Sequence, residues 1–448
     1  MKKTLSYSHL VLIHAAIALA IFVVPFLSKI YGLLVPVLGL LFIVRNKNKN
    51  NEVLLVVAYL VGVEVFLRMT GGNFNNEYVK FLVIFFMLIG MIYSNFSINA
   101  SVYLVFLLLL IPGILVTTVS ENLNTDIRKA LVFNLSGPLC LAIASIYMYK
   151  RRILFSNLQN VLIVMGLPII TTITYLFLYN PSVRDVVTGT QSNFETSGGF
   201  GPNQVSTILG LGIFIFFSQF ALSSKSKKEI VLNSILLIFV SYRAIATFSR
   251  GGVITGVVMI ICLLFLLYYL SNKRGKNKVG LILLLISVLG MGIWSYTSSQ
   301  TRGLIEKRYA NKDAKGREKN DRLGGREAII GADLELFLEN PILGIGAGMG
   351  KDIRKESLGQ SVAAHNEISR MLSEHGLFGI FGFLILFIVP FVIYINNQQH
   401  LYFFSFFLFW LLTINHAAMR IAAPAFVYAL TLLSVQVKIP EKTSNNLK

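Results

Sequence analysis

His365 stands in the run Ala364-His365-Asn366-Glu367 and is the residue best suited to moving a proton. An imidazole titrates near neutral pH, so it can take a proton from a hydroxyl or return one. The plain alternative is a structural histidine ahead of an amphipathic helix through Ile368, Met371, Leu372 and Leu377. Metal binding is the weaker reading. His375 follows ten residues later, about 280° around an α-helix from His365, and no HExxH pattern occurs.

A second candidate is Phe248-Ser249-Arg250-Gly251-Gly252. An arginine at a membrane boundary either snorkels to water or pairs with an anion. The glycines let the backbone turn and a ligand come close, and the helix that follows offers backbone N–H groups to phosphate. Further on, Gly324-Gly325-Arg326-Glu327 opens a helical pattern through Ile329, Ile330, Leu334, Phe337 and Leu338 that stops at Asn340-Pro341. The next run, Gly344-Ile345-Gly346-Ala347-Gly348, lacks the dinucleotide-binding spacing and reads as a sharp turn that packs this segment back onto the rest. Gly198-Gly199-Phe200-Gly201-Pro202-Asn203-Gln204 is either a flexible loop or the lining of a cavity.

The elements that must hold these residues are helices in lipid. The chain is 55% hydrophobic and 14% charged, with mean hydropathy +0.69, which excludes an ordinary soluble enzyme. Its 448 residues contain fourteen apolar stretches, near 8–27, 30–44, 53–70, 79–94, 98–118, 130–149, 161–179, 203–222, 230–248, 251–270, 279–297, 376–395, 401–414 and 424–437. Crossing helices need roughly 20 residues each. The runs are too long and too evenly apolar for barrel strands, so the fold class is an all-α polytopic membrane bundle of about 12–14 helices. No fixed-period repeat is present.

Residues 298–376 differ from the rest, with 13 Lys and Arg against 12 Asp and Glu in 79 residues. An unstructured tether needs no such mixture, and this segment reads as the active-site element. The organisation is then N-terminal helices over 1–202, central helices over 203–297, a large external catalytic loop over 298–375, and C-terminal helices with a tail over 376–448. Tracing the spans from a cytoplasmic N-terminus collects 18 basic residues on the inner side, in clusters such as Arg45–Lys49, Lys150–Arg152 and Lys273–Lys278, against three acidic ones. That asymmetry puts both termini in the cytoplasm and the polar segment outside. The net charge of +19 is mainly this topology signal; contact with anionic lipid is the expected use of the clusters, and no nucleic-acid partner is expected. Ala18-Leu19-Ala20 resembles a signal-peptidase site, but the apolar run continues to Leu27 and reads as an uncleaved span. Cys140 and Cys262 fall inside spans, which disfavours a disulfide or a thiolate metal site.

The order Ser249-Arg250-Gly251-Gly252, Arg326, Asn340-Pro341-Ile342-Leu343-Gly344-Ile345-Gly346, His365-Asn366 and Glu374-His375-Gly376-Leu377-Phe378-Gly379 resembles the O-antigen ligase and polymerase superfamily over residues 240–395. The first 180 residues carry no matching motif. The resemblance implies a multi-pass enzyme of the bacterial inner membrane whose active site faces the periplasm. Such an enzyme moves a glycan from undecaprenyl pyrophosphate to an acceptor sugar hydroxyl without metal or cofactor. It also implies that Arg250 and Arg326 bind the pyrophosphate and that His365 is the essential histidine.

The residue types agree with that chemistry. Two guanidiniums meet a pyrophosphate leaving group bidentately, and the acceptor hydroxyl needs a base as the bond forms. Attack from the face opposite the pyrophosphate inverts the anomeric carbon. Ser249, Asn366 and Glu374 are supporting candidates, Glu374 with a capping or ion-pair role as its alternative. A ligase would use a lipid A-core acceptor in lipopolysaccharide assembly; a polymerase would use a second lipid-linked glycan. One large outer loop rather than two tips the reading to ligase. A transporter would instead bury charges within its spans, and Glu64 is the clearest such residue.

Overall fold

The computed structural model describes residues 6–120, 125–319, 326–358 and 366–437, and within these not the side chains of 120, 125, 126, 326 and 355–358. The chain is an all-α bundle. Its first half runs α1 (Tyr7–Val23), α2 (Leu27–Asn46), α3 (Glu52–Met69), α4 (Tyr78–Tyr93), α5 (Val102–Ser120), α6 (Thr125–Met148), strand β1 (Arg152–Leu154) and α7 (Phe155–Tyr179). Then come α8 (Val183–Val186), α9 (Pro202–Ser218), α10 (Lys227–Ala246), α11 (Arg250–Leu270) and α12 (Lys273–Gln300). The polar segment contributes α13 (Leu304–Tyr309), α14 (Arg326–Glu339) and α15 (Gly350–Leu358). The chain closes with α16 (Glu367–Asn396), α17 (Phe403–His416), α18 (Ala423–Leu430) and strand β2 (Ser434–Gln436).

Among the described residues nine helices are long and apolar enough to cross a membrane, and α1, α4 and α17 are shorter apolar helices. Helices fall on all fourteen expected stretches, with one correction at the end. The stretch 424–437 is not a continuous span: α18 has eight residues, all buried, and the chain then becomes β2, which pairs in parallel with β1. The reason is that α18 packs against α6, α17 and α3 rather than lipid, so its apolar sequence reports a buried core segment and not a full-length lipid-facing helix. The β1–β2 pair lies at the end of the bundle opposite the polar segment, which we call the far end; the other is the loop end.

Helix packing sets the position of Arg250. A Cβ on Gly252 would lie 2.0 Å from the Ser206 carbonyl oxygen, and one on Gly210 would lie 2.0 Å from that of Gly252, so α9 and α11 touch backbone to backbone. Gly251 is filled against the His416 ring, 2.4 Å from where a Cβ would stand. These glycines therefore serve helix contact, which corrects the expectation that they make the turn. The turn is made three residues before Gly251, by Phe248 with φ +58°.

The polar segment is also more embedded than its composition suggested. α16 is broken at Gly376 (φ +57°, ψ −139°), where a Cβ would meet the carbonyl oxygens of Pro341 and Ile342 at 2.6 Å. Leu377 N donates to Pro341 O, Ile345 N to Ser373 O and Ala347 N to Gly113 O. The glycine run 344–348 thus turns and packs onto α5 and α16, as its sequence suggested. α14 and the loop after it leave Leu334, Leu338, Ile342 and Leu343 exposed. An apolar face of this kind beside α16 is suited to lipid rather than water.

Candidate active site

Arg250 is the first residue of α11, and Ser249 is its N-cap. Ser249 does not cap the first turn; its Oγ donates to Asn203 Oδ1 at 2.8 Å, while Ser206 Oγ donates to Ser249 O. The loop containing Gly198–Gln204 is thereby ordered against α11. Arg250 Nη1 donates to Arg308 O at 3.5 Å, and Arg308 Nε to Phe248 O at 3.0 Å, tying α13 to the same corner. Burial pushes the neighbouring Tyr309 phenol up to about 12, against the pull of Arg250 and Arg308.

Asn366 caps α16. Its Oδ1 accepts from Ile368 N and Ser369 N, and its Nδ2 donates to Asn415 Oδ1 at 3.1 Å. A cap of this type contributes about 0.5–2 kcal/mol. Asn415 adjoins His416, the ring that packs on Gly251. The capped end of α16 and the start of α11 therefore meet through the end of α17. His365 lies outside the described residues; Asn366, its neighbour in sequence, is at this junction.

Arg326 begins α14, and its side chain is outside the described set. Its level in the fold follows from the backbone. Asp333 meets Ser369 and Pro341 meets Leu377, the same offset in each case, so α14 and α16 run side by side in parallel. Carrying that register back brings Arg326 to the capped end of α16. Asp333 holds the arrangement together: it is buried, pairs with Arg354 of α15, and accepts from Ser369 Oγ at 2.7 Å. Burial pushes its carboxyl above the usual value, while Arg354 and Ser369 pull it back.

On the other side of α16 lies a cavity of about 870 Å³. Glu367, Arg370 and Glu374 form its α16 wall. Arg370 pairs with Glu367 and donates to Asn134 of α6, and its Nη1 is 3.6 Å from Glu374 Oε2. Glu374 thus takes the ion-pair role among the alternatives open to it. Ala418, Met419 and Arg420 line the cavity on the loop between α17 and α18.

Two buried charge pairs fix that loop. Arg68 pairs with Glu64 at 2.7 Å and donates to Arg420 O, while Glu64 accepts from Ala422 N. Lys80 pairs with Glu77 and donates to Met419 O. Glu64, flagged by a transporter reading, is thus a structural anchor. The sequence reading missed Asp333, Arg354, Arg370 and the Glu77–Lys80 pair. Glu77 and Lys80, and Glu367, Arg370 and Glu374, carried a local signal, the helical spacing that puts acid beside base.

Arg250, Ser249, Arg326, His365, Asn366 and Glu374 all lie in residues 235–384, which match the family model described as O-antigen ligase. No curated protein matches the chain. Over residues 235–384, about a third of its length, the chain is similar to the O-antigen ligase family.

Proposed function

We propose that the protein transfers a glycan from undecaprenyl pyrophosphate to a sugar hydroxyl on an acceptor, as an O-antigen ligase of the bacterial inner membrane. The observation that carries this reading is the junction of α11, α14 and α16. The Arg250 turn and the Asn366 cap meet at the end of α17, and helix register brings the Arg326 backbone to the same end.

In the proposed reaction the acceptor oxygen bonds to the anomeric carbon as the bond from that carbon to the pyrophosphate oxygen breaks. The pyrophosphate leaves with the electron pair, its charge met by Arg250 and Arg326. His365 takes the acceptor proton, and in-line displacement inverts the anomeric centre. The step needs no cofactor. The 18 basic residues of the far end and the tails support cytoplasmic termini, with the reaction on the periplasmic side. A polymerase of the same superfamily is the second reading; it keeps the donor-side residues and changes the acceptor.

The test is incubation of purified protein with a lipid-pyrophosphate glycan and either lipid A-core or a second lipid-linked glycan. Product from wild type is expected, with a loss of about 10²–10⁴-fold in His365→Ala and unchanged membrane insertion. Near-normal turnover in that variant would remove His365 as the base.

A further inference from the structure

The cavity beside α16 is lined by six basic residues and four acidic ones, so it is suited to an anion. Two of the bases, Arg354 and Arg370, are engaged with buried acids. Arg128 and Lys129 on α6 and Lys351 on α15 stand at the rim. One helical turn further into the bundle on the same face of α6 are Val132 and Phe133, 47% and 40% exposed, and across from them Phe81 of α4 is 43% exposed. Positive charge at the loop end with an apolar, lipid-facing mouth below it fits one class of ligand, an amphiphile with a phosphate head and a long hydrocarbon tail.

The cavity is also distinct from the Arg250 corner. Arg250, Ser249 and Asn203 are not among its lining residues, whereas Glu367 is. The capped end of α16 therefore stands between them, with Asn366 turned to Asn415 on one side and Glu367 facing the cavity on the other. An in-line displacement requires just this division, because the attacking hydroxyl must come from the side opposite the leaving pyrophosphate.

We infer that this cavity is the acceptor site, and that the acceptor is a phosphate-bearing lipid whose tail lies between α4 and α6. The inference rests on the glycan-transfer reading above. Its phosphate belongs either to a lipid-pyrophosphate-linked glycan or to a phosphorylated glycolipid such as lipid A-core.

The test uses full-length protein in nanodiscs of zwitterionic lipid, with the double variant Arg128→Gln/Lys351→Gln. Both residues are exposed, so the variant should fold. Initial rates are measured against each acceptor and against the donor. The variant is expected to raise KM for the accepted lipid by roughly tenfold or more while leaving donor KM unchanged. The acceptor affected names the phosphate source. A photoreactive residue at Phe81 should label radioactive undecaprenyl phosphate in wild type and lose that labelling in the double variant, while the same probe at lipid-facing Phe265 should not respond. The labelling needs no turnover, so it separates the two claims: labelling without any transfer leaves the cavity site standing and removes the enzymatic reading. Transfer with unchanged acceptor KM, an equal rise in donor KM, or labelling at Phe81 indifferent to the two substitutions would overturn the acceptor site.

Discussion

Replacing Asp333 by alanine would strand Arg354 in a site where its side chain is 2% exposed. Removing one partner of a buried pair costs about 3–5 kcal/mol, because the remaining charge loses its partner without regaining water. The loss falls on the contact among α14, α15 and α16 rather than on the whole bundle, since Asp333 bonds only across those helices in the contacts described above. At about 1.4 kcal/mol per tenfold, the balance between docked and released α15 should shift by roughly a hundred- to a few-thousand-fold. Hydrogen exchange of α15 amides in nanodiscs reads that opening directly. Transfer should fall with it, because α14 begins with Arg326 and α16 follows His365. The double variant Asp333→Leu/Arg354→Met removes both charges and should recover most of the protection. If the single variant exchanges within a factor of three of wild type, or if the double variant loses as much as the sum of the two singles, the staple is not what docks α15.

The raised Asp333 carboxyl gives a pH prediction. A folded value above the ordinary 3.8 means the fold favours the protonated form; the stabilisation is full below that ordinary value and declines as pH rises through the raised one. Asp333→Asn cannot titrate, so α15 protection should fall as pH rises through the raised Asp333 value in wild type and be flat in the variant; parallel curves would refute the shift. Arg250→Lys should remain impaired in transfer and in donor-lipid binding, because an ammonium loses the planar two-point contact; full rescue by lysine would return Arg250 to a snorkelling role. Gly376→Ala forces a left-handed backbone and a clash with Pro341 and Ile342. It should cost more than about 1 kcal/mol, whereas Gly290→Ala, with open space around it, should be neutral in the same thermal assay. For topology, a cysteine at Lys312 should react with an impermeant maleimide when any outer membrane is permeabilised, and one at Lys227 should not; the opposite pattern would invert the assignment.

Much of the bundle was legible because apolar runs of membrane length have few other uses, and helix falls on each of the fourteen stretches, though in the last it ends at Leu430 and gives way to β2. What the sequence hid were contacts between distant positions. Asp333 and Arg354 are 21 residues apart, and Glu64 meets Ala422 across 358; neither spacing has a periodic signature. The role of Gly251 and Gly252 was misread for a related reason. A glycine pair beside an arginine looks like a turn, but its neighbours in space, Ser206 and His416, come from other helices. α18 looked like a span because hydropathy cannot tell lipid from protein interior.

The placement of α18 has a consequence for how the chain is made. Its eight residues are all buried between α6, α17 and α3, yet they lie near the C-terminus and leave the ribosome late. The helices inserted before it must therefore leave a slot for it, with the Glu64 carboxylate and the Glu77–Lys80 pair already in the membrane before Ala422 and Met419 arrive to be held. The parallel pairing of β2 with β1 then closes the molecule by joining its end to the strand between α6 and α7. A chain cut before α18 therefore lacks its centre rather than its edge.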